Sequence, residues 1–344
     1  MKILFQAYGL SYRGGTNSLK DYAHYNETLL GNKSVIAFDQ ETLETTFSPE
    51  STIPSVLESF QNRFEVFTYS SEEELNELAS AFDLMYTQRS GLIESPQIET
   101  NTALHIVFKH YAPYAYKNAC ISDWLSDYLY EKCSNPETLK EVDCRQGKDI
   151  PIQHLPFVPY IVDLPAAQPD KVQELKDKLG IPKDNFVFGR HGGFYEFDLP
   201  FTKEAIIETL KTRNDITFVF LNTKQFYDHP NIKYLEATFD PQEKSNYIAM
   251  CDAMLHGRAM GETFGLAIAE FLFHNKPVMT WGGGGDRNHV KMLDHTGLCY
   301  TTQSVNQMIL DVRDGKYSHH NFKQLVEQFT PINVMNKFNE VFLK

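Results

Sequence analysis

The chain predicts an α/β fold on parallel sheets, in two domains. Short apolar runs alternate with amphipathic segments along the whole length, which is the rhythm of βαβ units. Five prolines between Pro151 and Pro169 interrupt that rhythm and mark a boundary. The length of 344 residues suits two domains of ordinary size. The expected division is 1–155, 165–320, and a tail of helices over 321–344.

Composition removes several function classes. A net charge of −13 argues against a protein built to track nucleic acid or anionic lipid. Cys120, Cys133, Cys144, Cys251 and Cys299 are scattered, odd in number and without a Cys-x-x-Cys pair. That usage favours reduced thiols and a cytoplasmic location over a disulfide framework or a zinc site. Met1–Gln6 is too short for the apolar region of a signal peptide. No apolar run reaches membrane-spanning length, so no transmembrane segment is expected.

In the first domain, Lys2–Ala7 reads as the first strand. Tyr8–Asn17 is a loop carrying Gly9, Gly14 and Gly15, and Ser18–Leu30 is a helix. The glycines come too late, and adjacent, for the Gly-x-Gly-x-x-Gly dinucleotide fingerprint. Ser34–Phe38, Phe64–Tyr69, Asp83–Thr87 and Leu104–Phe108 read as further strands. Glu72–Ala81 and Ile121–Tyr130 read as helices. His110 lies just beyond the end of a strand, where α/β sheets place ligands. A lone histidine there serves either a ligand or the local hydrogen bonding.

The second domain opens with helix Lys171–Leu179. Strand Asn185–Gly189 then runs into Arg190-His191-Gly192-Gly193. Phe201–Thr212 is a helix, Ile216–Leu221 and Asn231–Leu235 are strands, and Pro241–Met250 is a helix. Four glycines, Gly282–Gly285, could cradle a phosphate or form a flexible turn, and read rather as the turn, since the helix start at Gly265 already serves an anion. Asn321–Glu327 and Pro331–Phe342 are amphipathic helices.

The stretch Asp252–Thr280, DAMLHGRAMGETFGLAIAEFLFHNKPVMT, organises the rest. It reads as strand Ala253–His256, a glycine-bracketed loop Gly261–Gly265, helix Leu266–His274, then strand Val278–Thr280. A helix starting near Thr263–Gly265 offers free amides and a positive dipole end. Gly261 and Gly265 permit close backbone approach. Such an end suits a phosphate. Glu270 follows about 9 Å along the axis, placed to accept from vicinal hydroxyls such as those of a ribose. Glu262, ahead of the helix, is placed for a second polyol. A Glu on an apolar helix face also serves as the buried partner of a structural Arg or Lys, and a Glu before a helix also caps its amides. Spacing alone leaves these open.

The full string resembles the C-terminal signature of retaining glycosyltransferases of the GT-B fold, most closely glycosyltransferase family four. The shared pattern is Glu262, seven residues, Glu270, with Phe264-Gly265 after the first acid and Lys276-Pro277-Val278 closing the helix. The resemblance is densest over Cys251–Val278, partial over Phe186–Gly193, and sparse in the first domain. It implies two Rossmann-like domains with parallel sheets facing across a cleft, and a tail crossing back to the first. It implies that Glu262, Thr263, Phe264, Gly265 and Glu270 meet a nucleotide sugar, and that Arg190 binds its diphosphate. Gly14, Gly15 and Thr16 match a Gly-Gly-Thr-like turn on the cleft, or form a plain βα turn. Ser122-Asp123-Trp124-Leu125 resembles a Ser-x-Trp-Leu stretch, and Glu236-Ala237-Thr238 corresponds to a loop that holds the base. His110 is a candidate contact for the donor sugar. One departure is plain: Tyr195 or Glu196 stands where the family has a diphosphate-binding Lys. Lys203, Lys224 or the glycine backbone are the candidate substitutes.

The expected function is therefore glycosyl transfer from a nucleotide-diphosphate sugar of UDP or GDP type to a glycan or glycoconjugate acceptor, with retention. Glu262 and Arg190 are the expected catalytic pair. No cofactor and no metal are expected, since the sequence has no Asp-x-Asp motif or His/Cys ligand cluster. The alternatives are a nucleotide-sugar epimerase of the same architecture and a non-catalytic nucleotide-sugar-binding protein.

Overall fold

Lys2–Ala7 lies inside a six-stranded sheet ordered Glu65–Tyr69, Lys33–Asp39, Lys2–Ala7, Leu84–Arg89, Thr102–Ile106, Lys117–Cys120. Every neighbouring pair is parallel. The computed structural model describes residues 1–44, 51–92, 101–135, 137–138, 143–144 and 152–344, the pair 143–144 by backbone alone. Ile3, Leu4 and Phe5 are fully buried, as expected of a strand covered on both faces, which is why it reads as a continuous apolar run. The strand order is that of a doubly wound Rossmann sheet, with its switch point between Lys2–Ala7 and Leu84–Arg89.

The chain divides into two units, Met1–Ile161 with Phe329–Lys344, and Val162–Gln328. In the first, helix Gly14–Thr28 starts four residues before the expected Ser18. Gly14, Gly15 and Thr16 are therefore its first turn and not a loop. The amides of a first turn have no partner within the helix, so glycines are less out of place there than the loop reading assumed. The Thr16 hydroxyl accepts from Ser11 N at 3.2 Å and holds the preceding loop against the helix.

The strand expected over Leu104–Phe108 is Thr102–Ile106. His110 belongs instead to a short strand, His110–Tyr111, paired with Asp143–Cys144. The expected tail helix Pro331–Phe342 is helix Pro331–Phe338 followed by a wider turn, Asn339–Leu343. Its Phe338 and Phe342 complete an aromatic core in the first unit. Phe338 stacks 5.2 Å from Tyr22, and Phe342 meets His105 edge-on at 5.5 Å.

The second unit repeats the design. Its sheet runs Ile232–Leu235, Ile216–Leu221, Phe186–Arg190, Ala253–Leu255, Val278–Trp281, Cys299–Tyr300, all parallel. The order is again doubly wound, and the switch point falls between Phe186–Arg190 and Ala253–Leu255. Gly189 is required in this core. A Cβ there would lie 2.4 Å from Cys251 Sγ and 3.0 Å from the Tyr247 hydroxyl. Among the described residues, no helix is long and apolar enough to cross a membrane. Cys120, Cys251 and Cys299 are free thiols, and the Cys144 side chain lies outside the described residues.

Candidate active site

In a doubly wound sheet, ligands bind beyond the carboxyl ends of the strands at the switch point. In the second unit those ends deliver Arg190 on one side and His256, Gly257 and Arg258 on the other. Arg190 is buried at 2% exposure. Its Nη1 donates to Thr223 Oγ1 at 2.7 Å and its Nη2 to Gly193 O at 3.1 Å. Its buried Nε has no hydrogen-bond partner among the described residues. The Tyr247 hydroxyl, from helix Pro241–Met250, accepts the Arg190 amide at 2.7 Å and lies 2.7 Å from Val219 O. Backbone and head group are thus both fixed. Burial lowers the Arg190 pKa to about 10, against the opposing pull of Glu196 and Glu262.

Helix Leu266–Phe273 carries Glu270 on its buried side. Lys244 Nζ donates to Glu270 Oε1 at 2.7 Å, and His191 Nε2 lies 3.1 Å from Oε2 without forming an aligned hydrogen bond. Burial alone would raise the Glu270 pKa, but the Lys244 charge and His191 hold it at about 2. The carboxylate is therefore ionised and already engaged at both oxygens. It retains lone pairs for further donors, because an ionised carboxylate has about four acceptor sites.

Glu262 is engaged differently. His256 Nε2 lies 3.1 Å from Oε1, and Arg258 Nη1 donates to Oε2 at 2.9 Å. The other His256 nitrogen, Nδ1, is 2.7 Å from the buried Thr280 hydroxyl. That arrangement fits Nε2–H donating to the carboxylate and Nδ1 accepting from Thr280. The Glu262 amide donates to His289 Nδ1 at 3.2 Å, while His289 Nε2 donates to Trp281 O at 3.1 Å. Burial again works against ionisation, and His256 with Arg258 outweighs it, leaving the Glu262 pKa at about 2. The N-cap of helix Leu266–Phe273 is Gly265, which has no side chain to cap with, and the Glu262 carboxylate is held by the side chains of His256 and Arg258.

The loop glycines divide in role. Gly265 is the N-cap with φ 93, the left-handed region in which glycine is favoured. Gly261 departs from expectation, because the space above it is taken by the protein. A Cβ there would lie 1.9 Å from Asp286 O, where Gly261–Glu262 pairs with Asp286–Arg287. Phe264 is 2% exposed. Its side chain belongs to the core, which leaves only its backbone for a ligand, and its carbonyl accepts from Asn288 Nδ2 at 2.7 Å. Thr263 is half-buried beside it.

Arg190, Glu262, Thr263, Phe264, Gly265 and Glu270 all lie in the second unit. Gly14, Gly15, Thr16 and His110 lie in the first. There a Cβ on Gly15 would lie 3.5 Å from Gln88 Oε1. The backbone of His110 packs on Gly91, and its buried Nδ1 has no hydrogen-bond partner among the described residues.

Sequence reading missed Lys244, His256, Tyr247 and above all Arg258. Of the expected substitutes for the absent Lys, Lys203 sits over the Phe226 ring at 5.6 Å, and Lys224 sits over Tyr195 at 5.4 Å with its amide donating to Phe194 O at 2.9 Å. Arg258 and Glu262 are four apart within the quoted motif, an acid–base spacing that was there to be noticed. Lys244 and Glu270 are joined only by the tertiary fold.

These features define an α/β protein of the GT-B fold, with two Rossmann-like units, each on a six-stranded parallel sheet. No family model matches the chain, and no curated protein matches it by sequence. Solved structures do. HepE of Anabaena in complex with UDP-glucose has a TM-score of 0.72 at 14% identity, over 99% of this chain and 98% of its own. A glycosyltransferase from Rickettsia africae has a TM-score of 0.70 at 13% identity, over 99% and 97%. UDP-GlcNAc 2-epimerase from Neisseria meningitidis, bound to UDP-GlcNAc, has a TM-score of 0.59 at 12% identity, over the full length of both. At these identities the likeness is one of fold.

Proposed function

We propose that the protein is a glycosyltransferase that takes a sugar from a nucleotide-diphosphate sugar and passes it, with retention, to a glycan or glycoconjugate acceptor. The observation that carries this reading is one arrangement in the second unit. A buried arginine, a glycine turn and a helix start meet at the switch point, with one ionised Glu before that helix and another within it. Solved structures of this fold hold UDP-glucose and UDP-GlcNAc, which supports the donor class.

In this reading the departing nucleoside diphosphate gains negative charge. Arg190 and the amides at the start of helix Leu266–Phe273 stabilise it, being fixed before reaction and needing no reorganisation. Glu270 accepts from ribose hydroxyls and Glu262 from sugar hydroxyls, which orients the anomeric carbon. Thr263, Phe264 and Gly265 contribute backbone contacts. Gly14, Gly15 and Thr16 belong to the acceptor side; His110, read as a candidate contact for the donor sugar, lies in the same unit.

The test is a thermal-shift screen of UDP- and GDP-sugars. A donor at a hundred times its dissociation constant adds about 2.7 kcal/mol of stability. The donor that stabilises is then incubated with and without candidate glycan acceptors. Acceptor-dependent release of nucleoside diphosphate supports transfer. Epimer formation without acceptor sinks it in favour of an epimerase.

A further inference from the structure

One carboxylate of the second unit lies where an anion belongs. Glu196 folds onto the Gly192-Gly193 turn, and a Cβ on Gly193 would lie 2.5 Å from Glu196 Oε2. The space left by that glycine is therefore filled by the chain's own acid. Glu196 Oε1 is 3.1 Å from Arg258 Nη2, and the same guanidinium holds Glu262 through Nη1. Arg190, whose Nη2 donates to Gly193 O, stands against the same turn, with its Nε unpartnered among the described residues. Two guanidiniums and two carboxylates thus share one small region, and their formal charges cancel.

An anion entering this region competes with the carboxylates already paired to its guanidiniums. Glu196 and Glu262 differ in how firmly they are held. The Glu262 carboxylate is bound by both His256 and Arg258 and is 19% exposed, whereas that of Glu196 is held by one ion pair and is 36% exposed. The single exposed pair is the weaker tether. We propose that Glu196 is a built-in stand-in for phosphate: it occupies the glycine turn, and the donor's diphosphate displaces it and takes over Arg258 as a second cation beside Arg190. Arg258 then does the work of the Lys that the turn lacks. Return of Glu196 after reaction helps expel the nucleoside diphosphate. The inference rests on reading this site as one for a nucleotide-sugar donor.

The test uses inorganic pyrophosphate, a diphosphate without base or sugar, titrated by calorimetry into the wild type, Glu196→Gln, Arg258→Gln and the double variant. Melting temperatures establish that each is folded. Glu196→Gln is expected to bind about tenfold more tightly than wild type, and Arg258→Gln about tenfold more weakly. In the Arg258→Gln background the Glu196→Gln gain should shrink below about twofold, because nothing then holds the carboxylate on the turn. No gain from Glu196→Gln, an equal gain in both backgrounds, or no pyrophosphate binding by any variant overturns the proposal. Parallel titrations of the wild type with UDP and GDP separate the two readings. Binding of either nucleotide with no effect of Glu196→Gln removes the displacement alone, whereas no binding of any of these ligands removes the donor site with it.

Discussion

Lys244 Nζ and Glu270 Oε1 stand 2.7 Å apart, side chains 9% and 6% exposed, and tie helix Pro241–Met250 to helix Leu266–Phe273. Removing one member of a buried pair strands the other charge, at a cost of about 3–5 kcal/mol. Glu270→Ala should therefore destabilise the protein by that order in urea unfolding. Glu270→Leu combined with Lys244→Met should recover most of the loss. The proposed ribose contact is then read in the recovered double variant. Whichever nucleoside diphosphate stabilises the wild type should bind it at least tenfold more weakly. Unchanged affinity would leave Glu270 with a structural role only.

Glu262→Gln keeps the shape of the side chain and removes its charge. If Glu262 orients the sugar, affinity for the free nucleoside diphosphate should stay within about twofold while transfer from the intact donor falls at least tenfold. The mutant loses charge-assisted bonds to His256 and Arg258, each of a kind worth about 1.5–3 kcal/mol, so its melting temperature should also fall. Equal loss of both ligands, in proportion to the loss of stability, counts against the sugar-binding role.

Gly261→Ala should destabilise by more than about 1 kcal/mol, because it combines a φ of 85 with a Cβ driven to 1.9 Å from Asp286 O. The expected readout is a lower urea midpoint at unchanged slope. A midpoint equal to wild type would mean that Gly261–Glu262 does not pair with Asp286–Arg287 as described.

Acid should destabilise the protein well before its carboxylates are neutralised. Burial pulls His105, His274 and His289 down to about 4 from an ordinary 6.5, with help at His289 from the neighbouring His256. A depressed folded pKa means that the unfolded chain takes up protons first as pH falls. The stabilisation is whole above pH 6.5 and is lost on the way down to about 4. Glu262 and Glu270, at about 2 against an ordinary 4.5, add a second loss below pH 4.5. Melting temperature should drop steadily from pH 7 to 4.5, and a flat profile over that range sinks the assignment.

Where the local signal was strong, the sequence was enough. Lys2–Ala7 is built on the apolar run Ile3–Phe5 and Ile216–Leu221 on Phe218–Leu221, and both form strands at the bounds read from them. Asp240-Pro241 starts its helix where a capping acid and an N1 proline should. Weaker signals failed. Lys117–Cys120 is half polar, and it became a strand because it pairs with Thr102–Ile106. Pro54–Gln61 and Val305–Arg313 are short helices that went unread between loops. At the site, the types and order of Arg190, Glu262 and Glu270 were legible. Their partners were not, because Thr223, Tyr247 and Lys244 arrive from other elements of the second unit. The occupied space above Gly261 and Gly193 was likewise invisible, since a glycine in sequence does not say whether a ligand or the chain itself fills the gap.

The first unit keeps its aromatic core open until late in synthesis. Tyr22, Tyr86 and His105 are made early, yet Phe338 and Phe342, which cover them, follow the whole of the second unit in the chain. Domains generally fold as units from the N-terminus as the chain emerges from the ribosome. Here residues 1–161 reach the exit first and must wait, with those rings uncovered, while some 167 residues between them and Phe329 are made and fold. A nascent chain stalled before Pro331 should therefore expose a sticky aromatic surface to chaperones, and emergence of helix Pro331–Phe338 with the turn after it ends that exposure.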